Sequence, residues 1–106
     1  MIDQKDAFQG ELLMGELIGK KTEIVKSSRR ELIGLKGTIV DETLKMFVIE
    51  AEGKEKKIPK DVCVFRIFKG GKSRDIDGKD LLVRPEDRIK KYWRKFDAEM
   101  RRQELS

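Results

Sequence analysis

The sequence predicts a mainly β fold: a small antiparallel barrel of about six strands, flanked by an N-terminal and a C-terminal α-helix. Three observations predict it. Between Lys21 and Val83 lie six short runs rich in Val, Ile, Phe and Thr, separated by polar or glycine-containing turns. The central stretch "GLKGTIVDETLKMFVIE" at 34–50 carries Gly34 and Gly37 where a strand normally avoids glycine, which suits the sharp bends or bulges of a small barrel. On both sides of this region the apolar period changes from two to between three and four. With 106 residues the chain has room for one core. It divides into a helical segment at 1–19, a barrel at 20–84 and a basic amphipathic helix at 85–106.

In the first segment Phe8, Leu12, Leu13 and Leu17 recur at helical spacing, with Asp3 or Asp6 as N-cap and Gly19 as a stop. Gly10 and Gly15 sit inside this helix, each costing about 1 kcal/mol relative to Ala. It is therefore expected to be ordered mainly by docking. The expected strands are "TEIVKS", "LKGTIVD", "KMFVIEA", "KEKKIP", "VCVFRIF" and "KDLLV", with "KGGKSRD" and "DIDG" read as turns. Phe47, Ile49 and Ala51 share one face of their strand, and Cys63, Phe65 and Ile67 one face of theirs. The opposite faces also carry apolar side chains, which predicts a cover of terminal helices or of another protein. In the last segment Pro85 suits the first helical position, and Glu86 and Asp87 complement the helix dipole. Ile89, Trp93, Phe96 and Met100 form an apolar stripe, read as packing, while Arg88, Lys90, Lys91, Arg94, Lys95, Arg101 and Arg102 take the solvated surface. Tyr92 beside the stripe is open to packing or to base stacking.

Catalytic chemistry finds little support in these residues. There is no histidine, which excludes Ser-His and Cys-His nucleophiles and histidine-bound metals. "GGKS" at 70–73 ends like a phosphate-binding loop, yet Arg66 stands where that loop needs its first glycine. "SRDIDGKDLLVR" at 73–84 resembles a calcium loop only around Asp75, Asp77 and Gly78; its end ligands would be Ser73 and Arg84. It is read as a polar hairpin turn. Asp41 and Glu42 are adjacent in a strand-turn, pointing apart, and are read as solvated. Cys63, the single cysteine, lies in an apolar strand and is read as a buried thiol in a reducing compartment. No metal site and no bound cofactor are expected in this chain, nor any export or membrane insertion; a cytoplasmic location is expected.

Binding is the remaining class. Charged residues make up 42% of the chain, and 25 Lys and Arg against 20 Asp and Glu leave a net charge of +5, which favours a polyanion. The candidate RNA-binding residues are Lys26, Ser28, Arg29 and Arg30 around "KSSRRE", Lys36, then Lys54, Lys56, Lys57 and Lys60 in "KEKKIPK", and Arg66, Lys69 and Arg74. On loops brought to one side they would follow a phosphate backbone. Few exposed aromatics are expected, so shape and backbone recognition of a folded RNA fits better than base stacking.

The runs "GLKGTIVDET", "KKIPK", "VFRIF" and "LLVRPEDRIKK" resemble the archaeal ribonuclease P protein component one family, the counterpart of a subunit shared by eukaryotic ribonucleases P and MRP. The resemblance covers about residues 8 to 96. It implies an Sm-like barrel with flanking helices. It also implies a non-catalytic, RNA-binding subunit that assists a catalytic, magnesium-dependent RNA in removing 5′ leaders from precursor tRNA. As partners it implies the specificity domain of ribonuclease P RNA and a small zinc-containing protein subunit. Phe8, Leu12, Leu13, Leu17 and Ile18 would then form the partner-binding surface. The tail "FDAEMRRQELS" is a departure with no assigned role. Other readings are a general Sm-like or ribosomal-type barrel for structured RNA, a protein-interaction scaffold, and, weakest, an autonomous nuclease.

Overall fold

The computed structural model describes residues 16–90. Six antiparallel strands, β1 (Lys21–Ser27), β2 (Lys36–Glu42), β3 (Met46–Ala51), β4 (Lys54–Pro59), β5 (Cys63–Lys69) and β6 (Lys72–Asp77), form one sheet in the order β4-β3-β2-β1-β5-β6. Three 3-10 turns connect or follow them, at Arg30–Leu32, Lys60–Val62 and Gly78–Leu81, and a helix, α1, begins at Pro85 and is described over 85–90. The predicted helix through Phe8, Leu12 and Leu13 lies outside the described residues, as do Trp93, Phe96 and Met100.

Two expectations about the sheet are corrected. The barrel is not closed: β4 and β6 are the two ends of the strand order and do not pair with each other. The sheet nevertheless curls over a single core. Phe47 of β3 and Phe65 of β5, which are not neighbours in the sheet, meet edge to face with ring centroids 5.1 Å apart. Around them are buried Leu17, Ile24, Ile39, Ile49, Ile58, Cys63, Ile67, Ile76 and Leu81. The second correction concerns the last strand. It runs over Lys72–Asp77, which read as turn, whereas "KDLLV" enters the 3-10 turn Gly78–Leu81 and an irregular segment after it. Gly70 and Gly71 have φ of +57° and +79°, and Lys69 lies opposite Lys72, so a two-residue primed hairpin starts β6 immediately after β5. Only Ile76 of β6 is buried, so its strand state comes from pairing with β5 rather than from an apolar pattern.

Of the two central glycines, Gly34 takes a positive φ of +90° at the bend before β2, whereas Gly37 serves a different purpose. The register breaks fall between Ile24 and Lys26 and between Ile39 and Asp41, at Val25 and Val40. Gly37 instead permits close strand approach: a Cβ there would lie 2.2 Å from the Glu50 carbonyl oxygen of β3.

Candidate nucleic-acid interface

Antiparallel order decides which basic residues can meet. The register puts Lys26, opposite Val64, near the end of β1, whereas Glu55 of β4 lies opposite Glu50, Glu50 opposite Thr38 and Thr38 opposite Lys21, at the start of β1 beside the β5–β6 hairpin. Lys26, Ser28, Arg29 and Arg30 lie at and just beyond the end of β1, Lys36 at the start of β2, and Lys54, Lys56 and Lys57 along the β4 edge, all exposed. Lys69 and Arg74 of the β5–β6 hairpin are half-buried. The exposed cations thus form two groups, one following β1 and one on β4. In these groups Lys26, Arg29, Arg30, Lys54, Lys56 and Lys57 make no ion pair among the described residues, which leaves their charge available to a polyanion. β4 is also an edge strand, and its lysines discourage pairing with the edge of another chain.

Lys36 and Arg66 have local partners. Across the outer face the register aligns Lys36 with Glu23 and Glu23 with Arg66, and Arg66 in turn with Asp75, an alternating row over four strands. Lys36 Nζ lies 3.8 Å from Glu23, and Arg66 donates to both oxygens of Asp75 at 2.8 and 3.2 Å. The Arg66 hydrogen bond holds the Asp75 carboxyl below its usual range. In solvent such pairs contribute little stability. They do orient Arg66 along the sheet.

Lys60 is the main correction to the candidate set, because it is 0% exposed. Its ammonium donates to Glu42 Oε2 at 2.7 Å, to the Thr43 carbonyl at 2.7 Å and to the Leu81 carbonyl at 2.9 Å, which accounts for its three protons. It also sits 4.8 Å from the centroid of the Phe47 ring. Arg88 of α1, expected on the solvated helix face, is equally buried and donates to the same Glu42 oxygen. Glu42, expected in solvent, is therefore the anion between two buried cations; only Asp41 is exposed. Burial pushes Lys60 below its ordinary pKa; the Glu42 hydrogen bond and charge oppose that shift, and Arg88 adds to it. The cluster joins the β2–β3 turn, the second and third 3-10 turns and the start of α1. Gly78 makes this junction possible: a Cβ there would lie 1.6 Å from the Lys60 carbonyl oxygen.

Residues 10–91 match the protein family described as Ribonuclease P/MRP, subunit p29. The chain belongs to this family. It is 48% identical over 81 residues to ribonuclease P protein component 1 of Methanocaldococcus jannaschii, covering 76% of this chain and 85% of that one. The protein of the same name from Pyrococcus furiosus is 46% identical over 82 residues, covering 76% and 64% of the two chains. A solved homologue of the human RNase P protein Rpp29 superposes with a TM-score of 0.54 at 40% identity, over 71% of this chain and 99% of that one. This p29-family chain is thus a ribonuclease P protein subunit, whose partners are the ribonuclease P RNA and other protein subunits.

The partner-binding candidates meet different fates in the p29 fold. Leu17 is wholly buried in the chain's own core and is corrected from partner surface to core residue. Ile18 is half-buried against that core, and Phe8, Leu12 and Leu13 lie outside the described residues. Among the described residues no helix is long and apolar enough to cross a membrane, and no His, Cys, Asp and Glu cluster could hold a metal ion.

Proposed function

We propose that this p29-family subunit binds ribonuclease P RNA through the exposed cations that follow β1 and those on the β4 edge, and has no catalytic part of its own. The observation that carries the reading is the set of exposed, unpaired cations Lys26, Arg29, Arg30, Lys54, Lys56 and Lys57, in two groups on a p29 fold. Their charges neutralise phosphates and release counterions, which favours a compact RNA and lowers the magnesium it needs. Ser28 adds a neutral phosphate donor. The specificity domain is the proposed RNA surface, and precursor tRNA meets the chain within the assembled ribonucleoprotein. Magnesium serves the RNA, which performs the hydrolysis that removes the 5′ leader. A small zinc-containing subunit is the proposed protein partner, engaged by Phe8, Leu12, Leu13 and Ile18, and the complex works in the cytoplasm. The test is the rate of precursor-tRNA cleavage by ribonuclease P RNA at limiting magnesium, with and without this chain and that partner. A rise that depends on the RNA is expected. An unchanged rate with both proteins folded and bound would overturn the proposal.

A further inference from the structure

Beside the paired row of the outer face runs a second row with a different composition. The register places Lys26 of β1 opposite Val64 of β5, and Val64 opposite Asp77 of β6. A valine therefore separates cation from anion by two strand spacings, about 10 Å. Lys26 and Asp77 cannot pair as Arg66 and Asp75 do. Above this row a cleft of about 510 Å³ opens, walled by Ile33, Asp61 and Lys79 from the three 3-10 segments and the residues that follow them. Ile33 is 49% exposed, so the cleft has an apolar wall with no cover among the described residues. Asp61 makes no hydrogen bond or ion pair among the described residues, while Asp77 uses one oxygen to accept from the Lys79 backbone N–H.

We propose that this cleft holds one unpaired guanosine of the RNA, with the base between Ile33 and Val64, its Watson–Crick edge on Asp61, and its flanking phosphates on Lys26 and Lys79. The inference rests on the RNA-binding reading above and deepens it from charge to sequence. A phosphate alone is a poor occupant, because two carboxylates face the cleft. A base is a better one: its faces match the aliphatic walls and its N–H donors match the carboxylate. Guanine offers N1–H and N2–H side by side, the pair that one carboxylate accepts with both oxygens. The other three bases each present a single such donor group. An arginine side chain of a protein has the same donor pair, but Lys26 and Lys79 at the rim repel it and attract a ligand that carries phosphate.

The test uses the full chain and three uridine-rich single-stranded oligoribonucleotides with a central guanosine, inosine or adenosine, with ribonuclease P RNA in parallel. The guanosine strand should bind about tenfold tighter than the adenosine strand, with inosine between, since inosine lacks the N2 amino group. Asp61→Asn should bring guanosine down to adenosine, yet leave the adenosine strand unchanged or tighter, because the substitution removes a negative charge. Pure charge attraction predicts the opposite sign for guanosine. Ile33→Ala, at an exposed position, should lower the guanosine preference without loss of fold, as checked by thermal melting. Equal affinity for the three strands, with ribonuclease P RNA still bound, would overturn the pocket and leave the RNA reading intact. Loss of binding to every RNA would overturn both. Asp61-dependent binding of a Gly-Arg-Gly peptide without guanosine preference would give the cleft to a protein and overturn the proposal.

Discussion

Lys56 and Lys57 lie on β4, and Lys60 follows just beyond its end, yet their surroundings are opposite. The first two stand in solvent on an edge strand; the third is buried against Glu42, Phe47 and two backbone carbonyls. The same side chain is an RNA ligand candidate in one place and a structural pin in the other. The difference follows from strand alternation. Ile58 faces the core, so Lys60, two residues later, emerges on the same side.

The largest expected effect comes from breaking the buried side of this comparison. Glu42→Ala leaves Lys60 and Arg88 buried without their shared anion, and unfolding in urea should show a loss of about 3–5 kcal/mol. Replacing Glu42, Lys60 and Arg88 together by apolar residues of similar volume should recover most of that loss, which would show that the cluster specifies the junction more than it stabilises it. Gly78→Ala comes next, because the added methyl meets backbone rather than a flexible side chain; a cost of about 1–3 kcal/mol is expected in the same measurement. On the exposed side, Lys54→Gln, Lys56→Gln and Lys57→Gln should each change stability by no more than about 0.5 kcal/mol.

The smallest effect concerns Cys63, whose thiol burial pushes above the ordinary cysteine range, with a Ser27 hydrogen bond opposing the shift. Because the folded pKa lies above the unfolded one, its contribution to stability is complete below the unfolded value and lost as pH rises through the folded one. Alkylation of Cys63 at neutral pH should accordingly be much slower in the native chain than in urea.

Much of the fold was legible because four strands, β1, β2, β3 and β5, announce themselves by β-branched and aromatic residues, while β4 was read from its single buried isoleucine and the turns that bound it. β6 was not, since "KSRDID" buries one isoleucine and owes its state to a Gly-Gly hairpin that looks like an extended loop in one dimension. The open edge between β4 and β6 was equally hidden, because strand count does not report closure. For the site, "KEKKIPK" correctly marked a basic strand, but charge alone does not tell Lys57 from Lys60. Alternation from Ile58 was the available signal. Glu42 offered less: alternation from Ile39 points Asp41 inward and Glu42 outward, and it is the register break at Val40 that reverses this and turns Glu42 to the core. Arg88 offered none, as its partner lies 46 positions away.

That the exposed lysines, and not the buried one, meet the RNA phosphates is tested most directly by the salt dependence of ribonuclease P RNA binding. The wild-type chain is compared with the variant that combines Lys54→Gln, Lys56→Gln and Lys57→Gln. Each phosphate that is no longer neutralised lowers the slope of log affinity against log salt by about 0.7–0.9, so a slope shallower by roughly 1–3 is predicted, with the fold unchanged. The same slope and affinity in wild type and variant would contradict this and take the β4 edge out of the RNA interface.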